Sequence, residues 1–175
     1  MPSGKTHDVI TYLAAIPTAY FAWRWTGEWH LAALATGATV FSGLMFGPDL
    51  DIHSKQYTRW GALRVFWWPY QKMLPHRSRL SHGIVFGPAV RIIYFCVVTL
   101  SLAVAFSYMR ASVLGGEPLG PDKLARAWPK AQNFALWAWQ QKETWAALAG
   151  LWWGAATHTL TDVGLSLLRK AAEIF

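Results

Sequence analysis

Residues 39–83 read TVFSGLMFGPDLDIHSKQYTRWGALRVFWWPYQKMLPHRSRLSHG, and the fold follows from how this stretch is divided. An apolar run stops at Gly47-Pro48-Asp49-Leu50-Asp51. A basic, aromatic segment follows, and then His76-Arg77-Ser78-Arg79-Leu80-Ser81-His82 leads into a second apolar run. Two carboxylates and two imidazoles therefore stand at the ends of two apolar helices. Burying charge and imidazole near hydrocarbon is costly unless something pairs with them, and a divalent cation pairs with both.

Working outward, 175 residues allow a single domain, 1–175. A chain that is 54% hydrophobic and 14% charged, with 12 Trp, departs from soluble composition toward that of a membrane protein. The net charge of +7 does not point to nucleic acid, because the basic residues crowd between apolar runs rather than along a groove or recognition helix. A single cysteine, Cys96, excludes an intrachain disulfide and a thiolate metal knuckle.

Four apolar runs predict four membrane-spanning helices over about 9–25, 29–46, 84–109 and 144–168. The expected fold is an all-α integral membrane protein, a four-transmembrane-helix bundle with short amphipathic interfacial helices. Pro17 bends the first span. Thr26-Gly27-Glu28 is so short that the first two spans form an antiparallel hairpin, and Ala33, Ala35, Gly37, Ala38, Ser42 and Gly43 allow close approach in the second. Trp60, Phe66, Trp67, Trp68 and Tyr70 suggest an amphipathic element at headgroup level, and Arg91 is expected to snorkel or to pair with an acid. A helix from 123 toward 142 carries an aromatic stripe.

Charge bias orients the bundle. Residues 52–81 carry Lys55, Arg59, Arg64, Lys72, Arg77 and Arg79 and no acid, which places 47–83 and both termini in the cytoplasm and the 110–143 loop on the opposite side. The membrane expected is a bacterial inner or thylakoid membrane. With that orientation four segments bring His7, Asp8, Asp49, Asp51, His76, His82, His158 and Asp162 to one end. His158 and Asp162, four apart, share a helix face. Asp8 also suits a helix cap, whereas His30 belongs to the far side and His53 to a solvated loop. Carboxylate and imidazole without thiolate suit zinc first, with manganese or iron next, and eight candidates leave room for one or two ions.

The runs His7-Asp8, Ser42-Gly43-x4-Pro48-Asp49-Leu50-Asp51, His76-Arg77-Ser78-Arg79-x-Ser81-His82 and His158-Thr159-x-x-Asp162 resemble a family of small bacterial, cyanobacterial-like membrane proteins described as metal-binding. That family is similar in turn to the inner-membrane metal-dependent hydrolases. The resemblance implies ligation by His7, Asp51, His82, His158 and Asp162. The activity expected is hydrolysis of a phosphorylated or lipid-like substrate at the cytoplasmic face. A divalent ion activates water, Asp49 acts as a base outside the ligand set, and Arg77, Arg79 and Arg59 hold the anion. Membrane lipid is the expected partner. The alternatives are a non-catalytic, metal-stabilised membrane protein or assembly subunit and, with less support, a metal transporter, because few polar residues continue to the far side.

Overall fold

The computed structural model describes residues 4–76 and 78–173. Helix α1 (Gly4–Thr26) and helix α2 (Trp29–Met45) form the expected hairpin. Gly27, with φ +68°, makes the reversal, and its N–H donates to the Trp23 carbonyl at 2.8 Å. That backbone region favours glycine because it has no Cβ to clash. A 3-10 turn (Pro48–Asp51), α3 (Lys55–Thr58), a second 3-10 segment (Gly61–Trp67), α4 (Trp68–Met73) and α5 (Arg79–His82) connect α2 to the long α6 (Phe86–Leu114). Helix α7 (Pro121–Gln140) and helix α8 (Lys142–Ala172) complete the chain. The described residues contain helices and no strand, so the all-α expectation holds.

Helix α2 is the centre of the bundle, packed against both α1 and α8, which also touch each other. Small residues explain the close approach. A Cβ at Gly150 would fall on the Ala35 carbonyl, one at Gly154 on the Thr39 carbonyl, and one at Gly43 on the Thr11 side chain. Ser42 Oγ donates to the Leu151 carbonyl at 2.6 Å across the α2–α8 seam. Packing of this kind relies on van der Waals contact and interhelical hydrogen bonds. Helix α6 stands apart, and only Gly87, Pro88 and Arg91 near its start are buried.

The number of expected spans needs correction. Among the described residues, two stretches, Trp29–Asp51 and Phe86–Leu114, are long and apolar enough to cross a membrane. α1 and α8 have the length, at 23 and 31 residues. Their mean hydropathy is lowered by Lys5, His7, Asp8 and Arg24 in one and by Lys142, Glu143, His158 and Asp162 in the other. The segment around Trp60–Trp68, expected as an amphipathic element at headgroup level, packs one face into the protein. Trp67 is fully buried and joins Phe46, Leu50, Tyr57 and Tyr70 in a core, stacked against Tyr94 and Phe95 of α6. Leu63, Val65 and Trp68 remain outward. Arg91, expected to snorkel or to pair with an acid, is 1% exposed and donates through Nη1 to the Ser81 carbonyl at 2.7 Å. It ties the start of α6 to α5 and so fixes the residue beside Ser81, His82.

Candidate metal centre

Local chemistry aims the side chains. Pro48 opens the 3-10 turn, where a missing N–H costs nothing. At three residues per turn, Asp49 and Asp51 splay about 120° apart. One therefore faces α8 and the other faces α5. Ser78 caps α5 by accepting the Ser81 N–H at 3.1 Å, and Thr159 Oγ1 donates to the His82 carbonyl at 3.3 Å, which docks α5 on α8. The close α1–α2 approach at Gly43 brings His7 to the same end.

Two groups of donors result. Asp49, Asp51, His76 and His82 form the first, and His7, His158 and Asp162 the second, with the donor atoms of each group within 4.8 Å of one another. In the first, His76 Nδ1 is 2.9 Å from Asp51 Oδ1, His82 Nδ1 is 3.3 Å from Asp51 Oδ2, and His82 Nε2 is 3.5 Å from Asp49 Oδ1. In the second, His7 Nε2 is 3.2 Å from Asp162 Oδ1, and His158 Nε2 is 3.8 Å from Asp162 Oδ2. The His7 and His158 rings stack with centroids 3.8 Å apart. Asp49 joins the groups, since its Oδ2 lies 3.3 Å from His158 Nε2.

Burial makes this arrangement demanding. Asp51 and His158 are 4% exposed and His7 7%. Asp51 Oδ2, His82 Nε2, His158 Nε2 and His7 Nδ1 are all buried without a hydrogen-bond partner. An unsatisfied buried polar atom costs about 1–3 kcal/mol, and three of these, Asp51 Oδ2, His82 Nε2 and His158 Nε2, face other donors of the two groups, which fits a site for a cation. The donor set, oxygen and nitrogen only, suits a divalent metal. Burial opposes protonation of His82, but the Asp49 and Asp51 carboxylates outweigh it and hold the imidazole pKa up at about 9.

Several expectations are placed differently. Asp8, expected as a ligand, lies outside both groups. The Arg59 guanidinium donates to its two oxygens at 2.9 and 2.7 Å, and Lys55 lies at 3.4 Å. Asp49, expected as a base outside the ligand set, stands inside it. Arg79 is exposed on α5 and borders neither of the cavities at the centre. Arg77 lies outside the described residues. His30, set aside from the sequence, does sit at the far end, near Glu28 and Glu143.

Gln56 is the residue that sequence reasoning missed. It is 4% exposed; its Oε1 accepts the Asp49 N–H at 3.1 Å and its Nε2 donates to the Gly43 carbonyl at 2.7 Å. These two backbone partners fix the orientation of the amide. The same nitrogen is 3.3 Å from His158 Nδ1. As a donor it leaves the imidazole proton on Nε2, facing the carboxylates. A lone glutamine in a polar loop carries no signal that would have revealed this.

Two cavities border the centre. One of about 180 Å³ is lined by His7, Asp8, Asp49, Lys55, Gln56 and His158, among others. The other, about 320 Å³, is lined by His82, Thr159, Asp162, Val163, Leu167 and Lys170, with Ser166. No curated protein and no solved structure matches the chain. Residues 2–172 match the family described as uncharacterized metal-binding protein (DUF2227). The match spans almost the whole chain, including every donor of both groups, and the chain belongs to this family of metal-binding proteins.

Proposed function

We propose that the protein is a membrane-embedded, metal-dependent hydrolase acting on a phosphorylated, lipid-like substrate at the cytoplasmic face. The observation that carries this reading is that the buried, partner-poor donor set opens into two cavities, each bordered by a cation. A divalent ion, zinc foremost, supplies Lewis acidity for ester hydrolysis when held there. Lys55 borders the smaller cavity, and Arg59 stands beside it through its pairing with Asp8. Lys170 borders the larger. These side chains bind and orient an anionic group that three carboxylates would otherwise repel. Val163 and Leu167, exposed on α8 beside His82 and Asp162, offer an apolar wall to a chain attached to that anion. A carboxylate or imidazole bordering the cavities and not engaged by the ion accepts the proton lost by the attacking water.

Membrane embedding is supported by outward apolar surface. Helix α6 exposes Ile93, Val97, Leu100 and Phe106, and α1 exposes Val9, Leu13, Ile16 and Phe21. Soluble monomers rarely show apolar surface on that scale. In this reading α1 and α8 pack against α2, and His7, His158 and Asp162 face the centre rather than lipid.

Phosphate release from lipid phosphates and nucleotides, by purified protein with and without chelator, tests the activity. Chelator-sensitive release from lipid phosphates is expected. A metallated protein without chelator-sensitive turnover would replace this reading with that of an ion that only ties α1, the 48–58 segment, α5 and α8 together. The way the donors are spread over those segments favours this second reading.

A further inference from the structure

We propose, resting on the reading of this site as a hydrolytic metal centre, that it holds two divalent ions sharing Asp49 as a common ligand. The donors fall into two groups rather than one sphere, and Asp49 reaches both, Oδ1 toward His82 and Oδ2 toward His158. One tetrahedral ion uses four donors, and seven are assembled here.

The unpartnered atoms are divided in the same way. Asp51 Oδ2 and His82 Nε2 belong to the first group, and His158 Nε2 to the second. An ion in either group alone would leave the buried atoms of the other unsatisfied. Charge agrees. Asp49, Asp51 and Asp162 bring three carboxylates, more negative charge than one divalent ion offsets. Two ions turn it positive, which favours an anionic ligand at the cavities. Two-metal hydrolytic sites hold their ions about 3.5–4 Å apart, a spacing that a single bridging carboxylate can span.

The donors are not equally prepared. His158 takes an ion through Nε2 only by moving its proton to Nδ1, against the Gln56 nitrogen. The second group therefore rests first on Asp49, His7 and Asp162, and binds its ion more weakly than the first.

The test uses the full chain, purified in detergent, stripped with chelator and reloaded with manganese(II). Metal content is read by elemental mass spectrometry and coupling by low-temperature electron paramagnetic resonance. Wild type is expected to bind two manganese ions in steps of different affinity and to show the spectrum of an exchange-coupled pair. His76→Ala, which touches only the first group, and His7→Ala, which touches only the second, should each leave one uncoupled ion. Asp49→Asn should abolish the coupled spectrum. Saturation of the wild type at one ion, two ions with the spectrum of isolated manganese, or coupling that survives in Asp49→Asn would overturn the proposal. Should the variants not fold, the wild-type stoichiometry and spectrum decide by themselves. A coupled pair in a protein without turnover would remove the hydrolase reading and leave the two-ion centre standing.

Discussion

Asp8 and Asp162 are both acids at the same end of the bundle, and their surroundings separate them. Asp8 is paired with Arg59 and Lys55, side chains that are 31% and 46% exposed. Such a pair contributes on the order of 1 kcal/mol. Asp162 faces His7 and His158 inside a donor group. Asp162→Asn is therefore expected to lose bound metal while Asp8→Asn keeps it, as measured by metal content after gel filtration. Equal losses would contradict this. Gln56→Leu should be more damaging than a loop substitution, since it strips the Asp49 N–H and the Gly43 carbonyl of their partner at about 1–3 kcal/mol each. Thermal melts of the purified variant would show it. His82 gives a pH dependence. In the metal-free protein its pKa is raised from 6.5 to about 9, so its stabilising contribution is complete below about pH 6.5 and is lost as pH rises through 9. Metal competes with that same proton, so affinity should rise up to tenfold per pH unit across this window, read by chelator competition. A flat profile would exclude His82 as a ligand.

At the scale of elements, the seam between α2 and α8 sets the register of the centre. Gly154 packs on the Thr39 carbonyl and Ser42, so Gly154→Leu must push the helices apart. Overpacking costs about 1–3 kcal/mol, more where backbone must move, and the displacement would carry His158 and Asp162 away from Asp49. Gly37 is the contrast: nothing lies within 4 Å of a Cβ there, so Gly37→Ala should melt no lower than wild type. The helices were legible in the sequence because apolar runs, the Gly27 turn and the Gly47-Pro48 stop are local signals. Helix α6, expected over 84–109, extends over 86–114, and the helix expected from 123 begins at Pro121. The role of the 60–70 segment was not legible. Whether a tryptophan faces lipid or a neighbouring helix depends on where α6 passes, and Trp67 meets Tyr94 and Phe95 from more than twenty residues away.

For the whole molecule, the convergence of His7, Asp49, Asp51, His76, His82, His158 and Asp162 could be anticipated from their places at the ends of the apolar runs, and the structure brings these residues into two adjoining groups. Their partition could not be anticipated, because it follows from the splay of Asp49 and Asp51 in a 3-10 turn and from the hold of Gln56. The proposed orientation in a membrane makes a separate prediction. Cysteines placed at Lys55 and at Gly116 should be labelled from opposite sides of sealed vesicles, and labelling of both from one side would contradict it. The most direct measurement is the divalent metal content of the purified, folded chain by elemental mass spectrometry, with Asp51→Asn beside it. Wild type should carry at least one tightly held ion per chain and Asp51→Asn markedly less. A folded wild type that takes up no divalent ion, or an Asp51→Asn variant that holds as much as wild type, would contradict the assignment of this centre.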